Sequence, residues 1–263
     1  LHPVTDGMNA TSLSHLPAKC LLLTWALFFG AAVAQASVVI NSTRIVYPQQ
    51  AKEVTVRLES KNQAPVLIQA WLDTGDERST PDLAAAPFVA TPPIFRMEPG
   101  KQQVVRLAYT GDSLPSTEES LFWFNVLEVP AQTPGTQQGN QLQLAFRSRI
   151  KLFFRPQNLP YAVESAPGKL QWRRVSNAPG QALEVYNPSP YHVTFEQIDL
   201  LESGRRHARQ AATSGAENMV TPGARQRFAL PTLKTPPGAA ATVEFHTLDD
   251  FGAKVSHSTK VSP

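Results

Sequence analysis

An all-β fold of short strands, a sandwich or barrel followed by a second sandwich, is what this sequence predicts, and three observations carry that expectation. The apolar residues fall in short runs rich in Val, Ile, Leu, Phe and Trp rather than in helical stripes. Those runs are punctuated by 23 prolines and 14 glycines in 263 residues, which end strands and make turns. The series of runs also breaks near its middle, at Gln157–Pro160, where two prolines flank Asn158 and Leu159 and no ladder can continue.

The chain opens on a segment to be set aside before the fold. Lys19 precedes an apolar run from Cys20 to Val33, and Ala34-Gln35-Ala36 offers the small residues that a signal peptidase reads. Residues 1–36 are therefore expected to be a secretory signal with an N-terminal extension, cleaved before Ser37, with Met8 a candidate start. The run is shorter than the roughly 20 apolar residues of a bilayer span, so no membrane insertion of the mature chain is expected.

Eight strands are expected in a first domain over 37–157: Val38–Ile40, Ile45–Tyr47, Val54–Leu58, Val66–Trp71, Phe88–Ala90, Ile94–Met97, Val104–Tyr109 and Leu121–Val129. The stretch Gln141–Pro156 closes that domain. Leu142, Leu144 and Phe146 alternate with Gln143 and Ala145, the period-2 mark of a strand with one oily face. Arg147, Arg149 and Lys151 follow, then Leu152-Phe153-Phe154 and a terminating Pro156. The oily face packs on its own core or is offered to another protein, and the pattern alone does not choose. The segment Ala131–Asn140 before it reads as a polar loop.

A second domain over 158–263 is expected from Leu170–Trp172, Ala182–Tyr186, His192–Leu200, Arg227–Ala229, Val243–His246 and Lys254–Ser256. Arg173-Arg174 and Arg205-Arg206-His207 read as solvated loop or strand positions.

Composition excludes several functions. Cys20 is the only cysteine and lies in the leader, so no disulfide and no Cys-based metal or nucleophile site is expected in the exported domains. The net charge of +3 is too small and too scattered to argue for nucleic acid. Ser148-Arg149-Ile150-Lys151 fits the Ser-x-x-Lys pattern, but on a strand Ser148 and Lys151 face opposite ways, so no enzyme is read from it. His192, His207, His246 and His257 lack metal-ligand spacing, and no cofactor is expected. Asn9 and Asn41 head formal glycosylation sequons.

Four ordered motifs then carry a resemblance. They are Ser42-Thr43-Arg44-Ile45-Val46-Tyr47-Pro48, the run Thr91–Gly100 (TPPIFRMEPG), the run Glu119–Val126 (ESLFWFNV), and Arg149–Pro156 (RIKLFFRP). Tyr186–Tyr191 (YNPSPY) and Asp249-Asp250-Phe251-Gly252 follow more loosely. The chain resembles the periplasmic chaperones of the chaperone–usher pathway, which assemble bacterial pili.

The resemblance implies two immunoglobulin-like sandwiches set at an angle with a cleft between them, and a last strand of the first domain donated to a pilus subunit that lacks one, a mode of β-strand addition. It implies that Leu142, Leu144 and Phe146 enter the subunit groove and that Arg44 and Lys151 bind the subunit's C-terminal carboxylate. Glu119, Arg155 and Asp250 would form charged interdomain contacts, and Pro65 with Leu67 would meet the outer-membrane usher. The short loop and the missing cysteine resemble the short-loop branch. Self-association of the free protein to cover its oily edge is a further expectation. In an unbroken strand Lys151 and Phe146 lie on opposite faces, so their two roles need either opposite faces or a bulge between them, and a bulge or twist is expected. The alternative reading is a structural two-domain surface protein, an adhesin or pilus component.

Overall fold

The structure is a computed structural model, and it describes residues 38–131, 144–177, 180–234 and 241–261. Leu142 and the leader over 1–36 lie outside the described residues, as does the 131–140 loop apart from Ala131.

Among the described residues, nine strands build the first sandwich: β1 (Val38–Ile40), β2 (Arg44–Pro48), β3 (Val54–Ser60), β4 (Val66–Asp73), β5 (Phe88–Thr91), β6 (Ile94–Met97), β7 (Gln102–Tyr109), β8 (Ser120–Pro130) and β9 (Phe146–Arg155). One sheet runs β1-β3-β7-β5 and the other β2-β9-β8-β4-β6. Alternate residues turn inward, as the period-2 pattern requires: Val56 and Leu58 from β3, Ile68 and Leu72 from β4, Phe122 and Phe124 from β8, Leu152 and Phe154 from β9. Tyr47 sits fully buried among Phe88, Tyr109 and Phe154. Its hydroxyl lies 3.1 and 3.0 Å from the Ala51 and Lys52 carbonyls and accepts the Tyr109 N–H at 3.1 Å, so the buried Tyr47 hydroxyl is satisfied.

The second sandwich comprises β10 (Gln171–Asn177), β11 (Gly180–Tyr186), β12 (Val193–Glu202), β13 (Arg205–Ala208), β14 (Met219–Val220), β15 (Arg225–Leu230), β16 (Ala241–Leu248) and β17 (Lys254–Val261). Its sheets are β10-β11-β15 and β13-β12-β16-β17, with β14 on β12. Trp172, Phe195, Phe228 and Phe245 meet edge to face or tilted at its centre. Buried Asn187 staples the turn after β11: its Nδ2 donates to the carbonyls of Tyr191, Val220 and Thr221, and its Oδ1 accepts from the Ser189 N–H and Oγ. Two short 3-10 turns, Val163–Ser165 and Pro167–Lys169, bridge β9 to β10.

Two expectations are corrected here. Arg174 is not solvated: it shares the inward parity of Trp172, is 5% exposed, and pairs with Glu202. Only Arg173 faces outward. The closing strand of the first sandwich begins at Phe146, and Leu144 and Ala145 precede it as irregular chain.

Candidate binding site along strand β9 and the interdomain cleft

Strand β9 pairs antiparallel with β8 in one unbroken register, from Glu128↔Phe146 to Ser120↔Phe154. The bulge expected between Phe146 and Lys151 is therefore absent. The conflict of parity is resolved by the other route: the strand uses both faces. Ile150, Leu152 and Phe154 turn into the core. Phe146 lies on that same face but past the end of the core, 53% exposed, as is Leu144 two residues earlier.

The other edge of β9 is only half covered. Strand β2 joins it in parallel, beginning at Arg44↔Lys151 and running to Pro48↔Arg155. Among the described residues, Phe146–Ile150 thus have a strand neighbour on one side only, leaving backbone donors and acceptors without ladder partners.

The outward face of β9 carries Arg147, Arg149, Lys151, Phe153 and Arg155. Arg147 lies over Trp71 at 4.8 Å, Arg149 over Trp123 at 4.3 Å, and Lys151 over the same Trp123 ring at 5.7 Å. Buried Asp73, at the end of β4, serves both arginines: Arg149 NH2 donates to Oδ1 at 2.5 Å and Arg147 NH2 lies 3.4 Å from Oδ2. Asn125 Nδ2, Ser79 Oγ and the Gly75 N–H also donate to it, at 2.7, 2.9 and 2.7 Å. Burial alone would raise the Asp73 carboxyl, but these bonds, led by Arg149, hold it below the usual carboxylate range.

Lys151 stands apart in this row. No carboxylate among the described residues lies within ion-pair distance of it. Burial, then the charge of Arg44, lowers its ammonium to about 8. Arg44, 9% exposed, donates from NH1 to the Leu248 carbonyl at 2.9 Å, and its buried Nε has no partner. Burial also pulls the Arg44 guanidinium down, against the opposing pull of Asp250, Asp249 and Glu119. Two buried cations on adjacent strands, with unused donors, form a site that an anion would complete.

The cleft wall beside them joins the two sandwiches. Arg155 Nε donates to Glu119 Oε1 at 2.7 Å, and its NH1 and NH2 donate to Asp250 Oδ2 and Oδ1 at 2.6 and 2.8 Å. Glu119 Oε2 accepts the His192 backbone N–H at 2.9 Å, and the Glu119 N–H donates to the Pro190 carbonyl. The turn Asp249–Gly252 presses on the first sandwich: a Cβ on Gly252, whose φ is +83°, would clash with Thr43 Oγ1. On the other side, a Cβ on Gly215 would stand 3.2 Å from Trp123. Phe251, 91% exposed, lines the cleft pocket with Arg44, Phe153 and His257.

The structure thus brings Arg44 beside Lys151, and Glu119 and Asp250 onto Arg155. Half-buried Pro65 and Leu67, 47% exposed, lie two strands away toward β6, with Leu67 opposite Arg96 and Val129. Sequence reasoning missed Trp71, Asp73, Trp123 and Asn125, whose cluster exists only through cross-strand pairing.

Residues 37–160 match the family described as pili and flagellar-assembly chaperone, PapD N-terminal domain, and residues 165–259 match pili assembly chaperone PapD, C-terminal domain. The chain belongs to this family of pilus-assembly chaperones. It is 38% identical over 250 residues to the probable fimbrial chaperone YadV of Escherichia coli K12, covering 94% of this chain and 98% of that one. The crystal structure of the YadV chaperone superposes with a TM-score of 0.73 over 86% of this chain and all of that one. The SafB chaperone of Salmonella enterica, solved in complex with the SafA pilin, is 26% identical with a TM-score of 0.68, over 87% of this chain and 97% of that one.

Proposed function

We propose that this protein is a periplasmic chaperone that holds pilus subunits by lending them strand β9 and passes them to an outer-membrane usher. The observation that carries this reading is a single strand with a half-bare edge, exposed Leu144 and Phe146 at its open end, and the Arg44/Lys151 pair where the bare edge stops. A guest strand laid parallel to β9 would meet the start of β2 head-on, with its terminal carboxylate at the two cations. Burial of Leu144 and Phe146 in a guest groove is worth at most about 3–6 kcal/mol, reduced by the entropy of association. Each edge hydrogen bond adds only about 0.5–1.5 kcal/mol. Leu142, next in the alternation, is assigned the same role. The complex of SafB with a pilin supports a pilus subunit as the guest. Pro65 and the exposed Leu67 are assigned to the usher contact. Each of these tasks is binding and delivery, and none needs catalysis.

Co-expression of this chain with a pilus subunit tests the reading. A soluble one-to-one complex is expected, lost with Lys151→Asp and with Leu144→Glu. Retention of the subunit by both variants would overturn it.

A further inference from the structure

The outward row of β9 raises a question of register that resting on apolar pockets does not answer. A one-residue slip of a guest strand turns its side chains to the wrong face and is self-excluding. A two-residue slip keeps every side chain on its proper face, and moves the guest carboxylate only about 7 Å along β9. That shift carries it from Lys151 to Arg149, a second cation on the same face. Backbone pairing and apolarity do not distinguish the two positions; charge does.

In the free protein the charge of Arg149 is already compensated, although its buried Nε has no hydrogen-bond partner. Asp73 binds it at 2.5 Å and is itself 1% exposed, fixed by Asn125, Ser79 and Gly75. The next cation back, Arg147, spends its Nε on Asn125 Oδ1 and its NH1 on the Glu77 carbonyl. At the far end of the row Arg155 is held by Glu119 and Asp250. Across the sheet the pairing runs Asp73↔Trp123↔Lys151↔Arg44, so Trp123 holds the position between Asp73 and Lys151, with its ring 5.7 Å from the Lys151 ammonium. Asp73 therefore reaches Arg149 diagonally and leaves Lys151 untouched. We propose that Asp73, screened from Lys151 by Trp123, is a register-setting residue: it removes Arg149 as a rival anchor, so that a guest carboxylate stops only at Arg44 and Lys151. This rests on the carboxylate-anchoring reading above.

The test uses the full mature chain and a pilus subunit in two forms, native and shortened by two C-terminal residues, with dissociation constants measured for each. Wild-type protein is expected to bind the shortened subunit about 10- to 100-fold more weakly, the worth of a charge-assisted anchor. In Asp73→Asn the penalty should shrink to within about threefold, because Arg149 now receives the displaced carboxylate. Asp73→Asn/Arg149→Gln, which also removes the unpaired buried cation, should restore the wild-type penalty, and Arg149→Gln alone should leave it unchanged. If Asp73→Asn does not fold, Arg149→Gln decides: loss of affinity for the native subunit would show Arg149 to be an anchor and overturn the proposal. An undiminished penalty in folded Asp73→Asn would overturn it too. A wild-type protein indifferent both to subunit length and to Lys151→Ala would instead refute carboxylate anchoring itself.

Discussion

Replacing Arg155 by alanine should destabilise the protein by about 3–5 kcal/mol, and most of that cost comes from the groups left behind. Arg155 makes three short charge-assisted bonds, at 2.7 Å to Glu119 and at 2.6 and 2.8 Å to Asp250. The two carboxylates are not equivalent. Asp250 is 29% exposed and can be rehydrated, so its loss is that of a surface pair, under about 1 kcal/mol. The Glu119 side chain is 1% exposed and keeps one hydrogen bond, from the His192 N–H, with the His192 ring Nδ1 3.4 Å away and Arg44 farther off, so it becomes a poorly compensated buried charge, worth up to about 3–5 kcal/mol. Neutralising it should therefore rescue. Arg155→Ala/Glu119→Gln is expected to recover about 1–3 kcal/mol relative to Arg155→Ala, a coupling measurable in a double-mutant cycle. Guanidinium unfolding followed by tryptophan fluorescence and far-ultraviolet circular dichroism reads both quantities, since Trp71 and Trp123 report the first sandwich and Trp172 the second. Because the network spans the two sandwiches, their transitions should move apart in Arg155→Ala. A single change under 1 kcal/mol, or a double mutant no better than the single, would refute the account of Glu119 as the buried liability.

Two more outcomes follow from the cleft. Lys151 is lowered from 10.5 to about 8 in the folded protein, so between those pH values the unfolded chain binds more protons. Stability of the free protein should then rise by about 3 kcal/mol from pH 8 to 10.5, while subunit affinity falls over the same range, and Lys151→Met should flatten both profiles in denaturation and binding titrations. Gly252→Ala should cost about 1–3 kcal/mol through its φ of +83° alone, with an added clash on Thr43, and Gly252→Ala/Thr43→Ala should recover only the clash, as read by thermal unfolding.

Much of this architecture was legible in the chain because strands announce themselves locally. Every strand expected in the first domain is present, since runs such as Val54–Leu58 or Leu121–Val129 carry their alternation within a few residues. Short or polar strands were not legible: β13 is Arg-Arg-His-Ala, and β14 is two residues long. The motifs around Arg44 and Lys151 pointed to their partnership, which their parallel pairing realises. Of the two ways to reconcile the parity of Lys151 and Phe146, the bulge was the one expected, and the unbroken pairing of β8 with β9 takes the other, opposite faces. Asp73 could not be found at all by pattern. It closes a strand as an ordinary polar residue would, and its role exists only because β8 lies between β4 and β9 and sets Trp123 beside it.

That arrangement also bears on how a half-bare strand keeps its shape before a guest arrives. With no cysteine beyond Cys20, the two sandwiches rely on packing and polar contacts alone. Between Phe146 and Ile150, β9 has one ladder neighbour among the described residues, and its inward face loses the core toward Phe146. The outward face supplies the missing hold: Arg147 and Arg149 reach across β8 to Asp73 on β4 and stack on Trp71 and Trp123. On the proposed reading, a strand so clamped is already extended and in register for a guest, so less ordering entropy is lost on binding. The same bonds that silence Arg149 as an anchor thus hold the edge straight, and weakening them should loosen the strand and blur its register together.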